Sequence, residues 1–475
     1  AIRKYNFEYN GFSMSLNRSN TAPSMPSPFR NFLYFFLFCS LVVYALLLGK
    51  YRLEDLDDTW SLSYVRNYVL RGIEVDPTFG GPARILYFGK THAWFTGHFL
   101  NLIGWTRENA HLLSIFLLFV AAFLWVPILR RLSYSLPLAC SFAALALLTE
   151  PFFSAAQSAR PEAFVFLLCA LALLFFVQSR YLLCVLTACV AVESHPMGIM
   201  AFFYVAAAAL SGGRWRNILK RRSLIELLSG FLLGAAYYLW LHGTALAGLG
   251  QTVAEGNTQV GRTLNNYLYD YFFKTKYLRH LPELGLILAG VFLYGKNRFW
   301  KDNSFAWILF WVTVVSTLLL SRPNFHYALY AYPAFLLLIL VVAEKKERLK
   351  AGLVLFLLLL LPQYAFVYSR NRSFDFTQQL QAVRSAVPQD SLPILGSANE
   401  WFSFMDREFY STQYVGDYKN LKFKEAYLIE ENDYREDPIS MRHWIPGNFE
   451  EKTLSSQTLN GETFVIKKIS RKTIP

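Results

Sequence analysis

Two adjacent carboxylates, Asp57 and Asp58, follow the first long apolar run of the chain. They open a stretch in which Leu62, Val65 and Val69 recur at helical spacing, the pattern of an amphipathic helix lying at a membrane surface. An acid there can take a proton from an acceptor group as a general base. Asp also caps helix N-termini and suits the helix dipole, so the spacing alone leaves both roles open. Lys90 comes next, in Tyr87-Phe88-Gly89-Lys90, just ahead of Trp94, Phe95 and Phe99. A lysine before an aromatic face can contact a phosphate, or can simply snorkel to the interface, and Arg84 invites the same two readings.

Three more ionisable motifs stand where apolar runs end: Ser158-Ala159-Arg160-Pro161-Glu162, Glu193-Ser194-His195-Pro196 and Ser321-Arg322-Pro323-Asn324-Phe325-His326. Ionisable groups close to a membrane interior are functional candidates. The plainer readings are that Arg160 pairs with Glu162 and that His195 is a hydrogen-bonded packing residue. Arg322 and His326, with Arg262, Lys276 and Arg279 of the earlier loop 242–281, can line a cationic pocket for an anionic lipid head, or make ordinary headgroup contacts.

The elements that must position these residues follow from composition. Of 475 residues, 54% are hydrophobic and 17% charged, against about a quarter charged in soluble domains. The apolar residues come in long runs without the alternation of a barrel strand, so the expected architecture is all-α and polytopic. Spans are expected near 30–49, 107–127, 136–153, 161–178, 181–195, 198–212, 223–241, 282–295, 304–320, 327–343 and 351–368, about eleven in all. Alternate loops carry the basic residues: Arg130 and Arg131, Arg180, Arg214 to Arg222, Lys296 to Lys301, and Lys345 to Lys350. That alternation puts the N-terminus in the cytoplasm and loops 50–106 and 242–281 outside, with the tail 369–475. It also accounts for the net charge of +13 without a nucleic-acid partner.

Residues 1–29 read as a polar cytoplasmic tail whose first methionine is Met14, and the first apolar run as an uncleaved anchor. Residues 369–475 read as a small extracytoplasmic α/β domain, with a helical pattern from Phe374 to Val387 and strand-like runs at Leu392–Leu395 and Phe464–Ile469. The five cysteines all lie in apolar segments, so no disulfide framework is expected in that domain.

There is no Walker loop, Rossmann fingerprint, nucleophile elbow or cysteine zinc pattern. The acids and His195 have the chemistry to hold a divalent metal, but no spacing demands one. At this point the residues resemble a family, the GT-C membrane glycosyltransferases that use polyprenyl-phosphate sugars. The nearest likenesses are the lipid A aminoarabinose transferases and the protein O-mannosyltransferases. Asp57-Asp58-Thr59 matches the acidic opening of the family's first outer loop. Tyr87-Phe88-Gly89-Lys90 matches the Tyr-Phe-acid-Lys of the aminoarabinose transferases, with Gly89 departing. The course from Lys90 to Arg131, the segment Arg322 to Pro333 and the small C-terminal domain follow the family as well.

The resemblance implies inverting transfer of a sugar from a polyprenyl-phosphate donor to a lipid, protein or polysaccharide acceptor, on the outer face of the inner membrane. It maps the catalytic base onto Asp57, with Asp58 beside it, and the donor-phosphate lysine onto Lys90. By their place in outer loops and at span ends rather than by the resemblance, Arg84, Arg279 and Arg322 are expected to support the phosphate, and Arg160, Glu162, His195 and His326 to line the rest of the pocket. A transporter or lipid flippase is the rival class. It would more often show charges and helix breaks at the midplane, with internal repeats.

Overall fold

The computed structural model describes residues 56–72, 89–243, 304–320, 328–345, 347–349, 376–411, 423–431, 449–459 and 462–472, with scattered positions between 351 and 369. The spans expected at 30–49 and 282–295 lie outside the described residues, as does most of that expected at 351–368.

The first helix, α1 (Leu56–Arg71), is followed by α2 (Lys90–Ile103). Then come the apolar helices α3 (Arg107–Arg131), α4 (Leu136–Leu148), α5 (Glu150–Ala156), α6 (Glu162–Val177), α7 (Tyr181–Ser194) and α8 (Met200–Leu210). After them come α9 (Arg221–His242), α10 (Ser304–Leu320) and α11 (Ala328–Lys345). Arg107–Arg131, Pro196–Gly213 and Arg221–His242 are long and apolar enough to cross a membrane. The span expected over 136–153 is broken at Thr149, which turns extended (φ −77°, ψ 148°) between α4 and α5, with Pro151 in the first turn of α5.

The bundle packs around Trp125, whose ring lies 5.0 Å from Phe142 and 5.8 Å from Tyr204. Helix α9 approaches α7 closely because Gly230 and Gly234 face it. A Cβ on Gly230 would come within 2.7 Å of the Leu182 carbonyl oxygen, and one on Gly234 within 2.5 Å of Cys189. The other side of α9 exposes Leu224, Leu228, Phe231, Leu232 and Trp240, an apolar surface suited to lipid rather than water.

After the bundle come α12 (Phe376–Ala386) and five strands, β1 (Ile394–Gly396), β2 (Phe409–Ser411), β3 (Glu425–Glu431), β4 (Phe449–Leu459) and β5 (Glu462–Arg471). They form one mixed sheet in the order β2-β1-β3-β5-β4. β1 runs parallel to β2 and β3, while β5 is antiparallel to β3 and β4. The fold is therefore mostly helical with a mixed C-terminal sheet.

The sheet's core does not stop at its own edge. Trp401, Phe404, Val383 and Ile466 share one buried cluster with Leu62 of α1, Leu100 of α2, Ala110 of α3 and Ala159. Helix α1 is consequently buried around more of its circumference than a helix lying on a membrane surface. Ser63, Tyr64 and Asn67 are buried along with Leu62 and Val65.

Candidate active site

Of the residues singled out by their chemistry, Asp58, Lys90, Arg160, Glu162 and His195 have described side chains, and they lie at the end of the bundle that shares a core with the C-terminal sheet. Asp58 is the third residue of α1 and is only 3% exposed. Its carboxylate reaches partners on other elements. Oδ1 accepts from the Ser158 hydroxyl and from the Ala159 N–H, both at 2.9 Å, and Oδ2 stands 3.4 Å from Nε2 of His111 on α3. The Ser158 hydroxyl also accepts from the Arg160 N–H at 3.3 Å, and the Ser158 carbonyl accepts from Ser114 at 2.6 Å. Asp58 thus joins α1 to α3 and to the turn between α5 and α6. Charge-assisted bonds of this kind contribute about 1.5–3 kcal/mol each.

Asp57 is the second residue of α1, about 100° around the helix from Asp58. Its side chain lies outside the described residues. Arg160 and Glu162 pair with each other: Nε and Nη2 both donate to Oε1, at 3.0 and 2.8 Å. Both residues are buried, and the pairing is the plainer of the two readings the sequence allows. His195 Nδ1 accepts the Met197 N–H at 3.1 Å and starts the turn Pro196–Ile199.

A second group forms at the start of α2. Gly89 precedes it with φ +94°, a left-handed conformation that suits glycine. The first amides of α2 are satisfied from another helix. Glu193 of α7, fully buried, accepts the N–H of Lys90 at 3.0 Å and of Thr91 at 3.2 Å, and also the Thr91 hydroxyl. His242, the last residue of α9, places Nε2 2.9 Å from the same carboxylate. The Lys90 ammonium is buried and donates to the Leu241 carbonyl oxygen at 2.6 Å.

His92, buried on α2, feels charges from both groups. Burial pushes its imidazole down to about 4, with Glu162 opposing that shift, His195 adding to it and Glu193 opposing it. The C-terminal region also contacts α1 and α3, through the turn ahead of β2 and through α12. Arg66 donates to the Met405 carbonyl oxygen, and the Arg107 guanidinium lies 4.2 Å over the Phe376 ring.

Arg84, Arg279, Arg322 and His326 lie outside the described residues, as do Arg262 and Lys276. Among the described residues, no group of three or more His, Cys, Asp or Glu stands together as a metal site. His111, Ser158 and His242 have no part in the motifs as functional residues, and Glu193 entered only as the neighbour of His195. The one signal for His111 is a titratable residue one turn inside a long apolar helix.

No family model matches the chain, and no curated relative matches it. Solved structures do. The crystal structure of ArnT from Cupriavidus metallidurans in the apo state superposes with a TM-score of 0.58 at 13% identity, covering 93% of this chain and 98% of that one. The structure of ArnT from Cupriavidus metallidurans bound to undecaprenyl phosphate gives 0.60 at 12% identity, covering 92% and 98%. The likeness establishes the fold over nearly the whole length of both chains. It agrees with the resemblance to the aminoarabinose transferases read from the residues themselves.

Proposed function

We propose that this chain is a multi-pass membrane glycosyltransferase of the GT-C type. It moves a sugar from a polyprenyl-phosphate donor to an acceptor on the outer face of the inner membrane. The observation that carries this reading is the fold likeness, over 92% of this chain, to a protein solved with undecaprenyl phosphate. The converging ionisable groups at one end of the bundle agree with it, because chemistry on a lipid-linked sugar belongs at the interface. The proposed division is a membrane domain over 30–368 and an extracytoplasmic α/β domain over 369–475, with about eleven spans.

In the proposed reaction, Asp57 accepts the proton of the acceptor group as that group attacks the anomeric carbon. The new glycosidic bond forms as the bond from the anomeric carbon to the phosphate oxygen breaks. The electron pair leaves with the polyprenyl phosphate, and the configuration inverts. Asp58 is committed to Ser158 and Ala159, so it serves to orient α1 and leaves its neighbour as base. Lys90, supported by Arg84, Arg279 and Arg322, offsets the charge that develops on the phosphate.

The reading is tested by titrating the detergent-purified chain with undecaprenyl phosphate. Saturable binding is expected, and Lys90→Ala should weaken it by about ten- to a hundredfold, the worth of one charge-assisted contact. Absence of binding would turn the reading toward a transporter of another solute. Unchanged affinity in Lys90→Ala would remove that residue from the phosphate site.

A further inference from the structure

A lysine ammonium sits on a flexible four-carbon stem, so its position is set by what holds the stem's base and its tip. Here both ends of Lys90 are held by the same small assembly. Glu193 takes the Lys90 N–H at 3.0 Å and the Thr91 N–H at 3.2 Å, which anchors the base. Leu241 takes the ammonium at 2.6 Å, which anchors the tip. His242, the next residue, is 2.9 Å from Glu193 and 0% exposed, so the two anchors are tied to each other. Thr91 adds a further tie, its hydroxyl meeting both Glu193 and, at 2.7 Å, Tyr237 of α9.

We infer that Glu193 and His242 are positioning residues for Lys90. Glu193 also keeps the lipid phosphate on the lysine side chain by occupying the first amides of α2 itself. The inference rests on the reading of Lys90 as the donor-phosphate contact. A helix N-terminus is an anion site in its own right, because its first N–H groups are unpaired within the helix and the dipole favours negative charge. A carboxylate from α7 already fills that site here. A phosphate arriving beside α2 therefore meets the lysine rather than the backbone. Burial makes the arrangement stiff, since a carboxylate removed from water keeps its place only where donors surround it. The parts come from the start of α2 and the ends of α7 and α9, so no short motif records them.

Undecaprenyl phosphate is the probe, titrated against the full-length purified chain and its Lys90→Ala, Glu193→Gln, His242→Gln and Lys90→Ala/Glu193→Gln forms, with a melting temperature for each. Glu193→Gln should weaken binding by about tenfold and His242→Gln by a smaller factor. The double variant should bind no more weakly than Lys90→Ala alone, because a residue that acts through Lys90 has nothing left to act on once Lys90 is gone. A merely structural carboxylate would instead lower the melting temperature of both forms and add its full penalty to Lys90→Ala. That result, or unchanged binding in Glu193→Gln, overturns the inference while leaving the Lys90 reading intact. Unchanged binding in Lys90→Ala overturns the Lys90 reading and the inference with it. If Glu193→Gln does not fold, His242→Gln alone and combined with Lys90→Ala carries the same comparison.

Discussion

At the scale of single residues, the neighbouring acids divide by what surrounds them. Asp58 has both oxygens committed, to Ser158 and Ala159 on one side and His111 on the other. A carboxylate used in this way fixes backbone positions and is poorly placed to collect a proton. The proposed base is therefore Asp57, on a different face of the same helix turn. This account predicts that Ser158→Ala, which removes one donor and leaves Asp58 partly unsatisfied in a buried setting, lowers the melting temperature. The energetic cost should be about 1–3 kcal/mol. Turnover should fall with it while undecaprenyl phosphate binding stays close to the parent's, as a calorimetric melt and a binding titration on the same sample would show. The acids and Lys90 were readable because residue type and order carry them. His111 and His242 were not, since each meets its partner 53 and 49 residues away respectively. Gly89, a departure from the family pattern, has its reason in a positive φ at the start of α2.

At the scale of elements, α2 is the piece on which the two groups turn. It packs against α1 at Gly97, where a Cβ would come within 2.4 Å of a Val69 methyl. Glycine in a helix interior costs about 1 kcal/mol relative to alanine, and here it permits the close approach. His92 lies five residues earlier, buried with its ring 5.9 Å from that of Phe164. Its ordinary value near 6.5 falls to about 4 in the folded chain. Above pH 6.5 both folded and unfolded chains hold it neutral and stability is full. Between pH 6.5 and 4 the unfolded chain gains a proton that the folded one does not, so stability falls as the pH falls, by up to about 3 kcal/mol. The melting temperature should therefore drop from pH 7.5 to pH 5, and His92→Gln should flatten that part of the profile; an unchanged slope would mean His92 is not the group responsible. Helical spacing located α1, and long apolar runs located the helices of the bundle. The break at Thr149 was not visible, because an apolar run with a proline two residues on reads as one span.

For the whole molecule, the sheet and the bundle share a core at the site end, which makes the C-terminal region part of the site's framework rather than an appendage. Leu62 and Trp401 belong to one cluster although they lie far apart in the chain. Alternating basic loops are the source of the proposed orientation, with 369–475 outside. A cysteine introduced at Ser456, which lies on β4, should accordingly react with a membrane-impermeant thiol reagent in intact cells. Labelling only after lysis would reverse the orientation. The mostly helical course and the existence of a C-terminal α/β unit were readable from hydropathy. The order β2-β1-β3-β5-β4 was not, since strand order depends on long-range pairing that short strands do not encode locally.

The central claim is that the chain breaks a sugar–phosphate bond on a polyprenyl donor with Asp57 as base. It is tested most directly by reconstituting the parent and Asp57→Asn chains with radiolabelled polyprenyl-phosphate sugars and membrane-envelope acceptors, and measuring release of polyprenyl phosphate. The parent should convert at least one donor. Asp57→Asn should bind that donor with parental affinity and convert it about a hundred- to ten-thousand-fold more slowly. Full activity in Asp57→Asn, or a parent that binds the donors without cleaving any of them, would contradict the account.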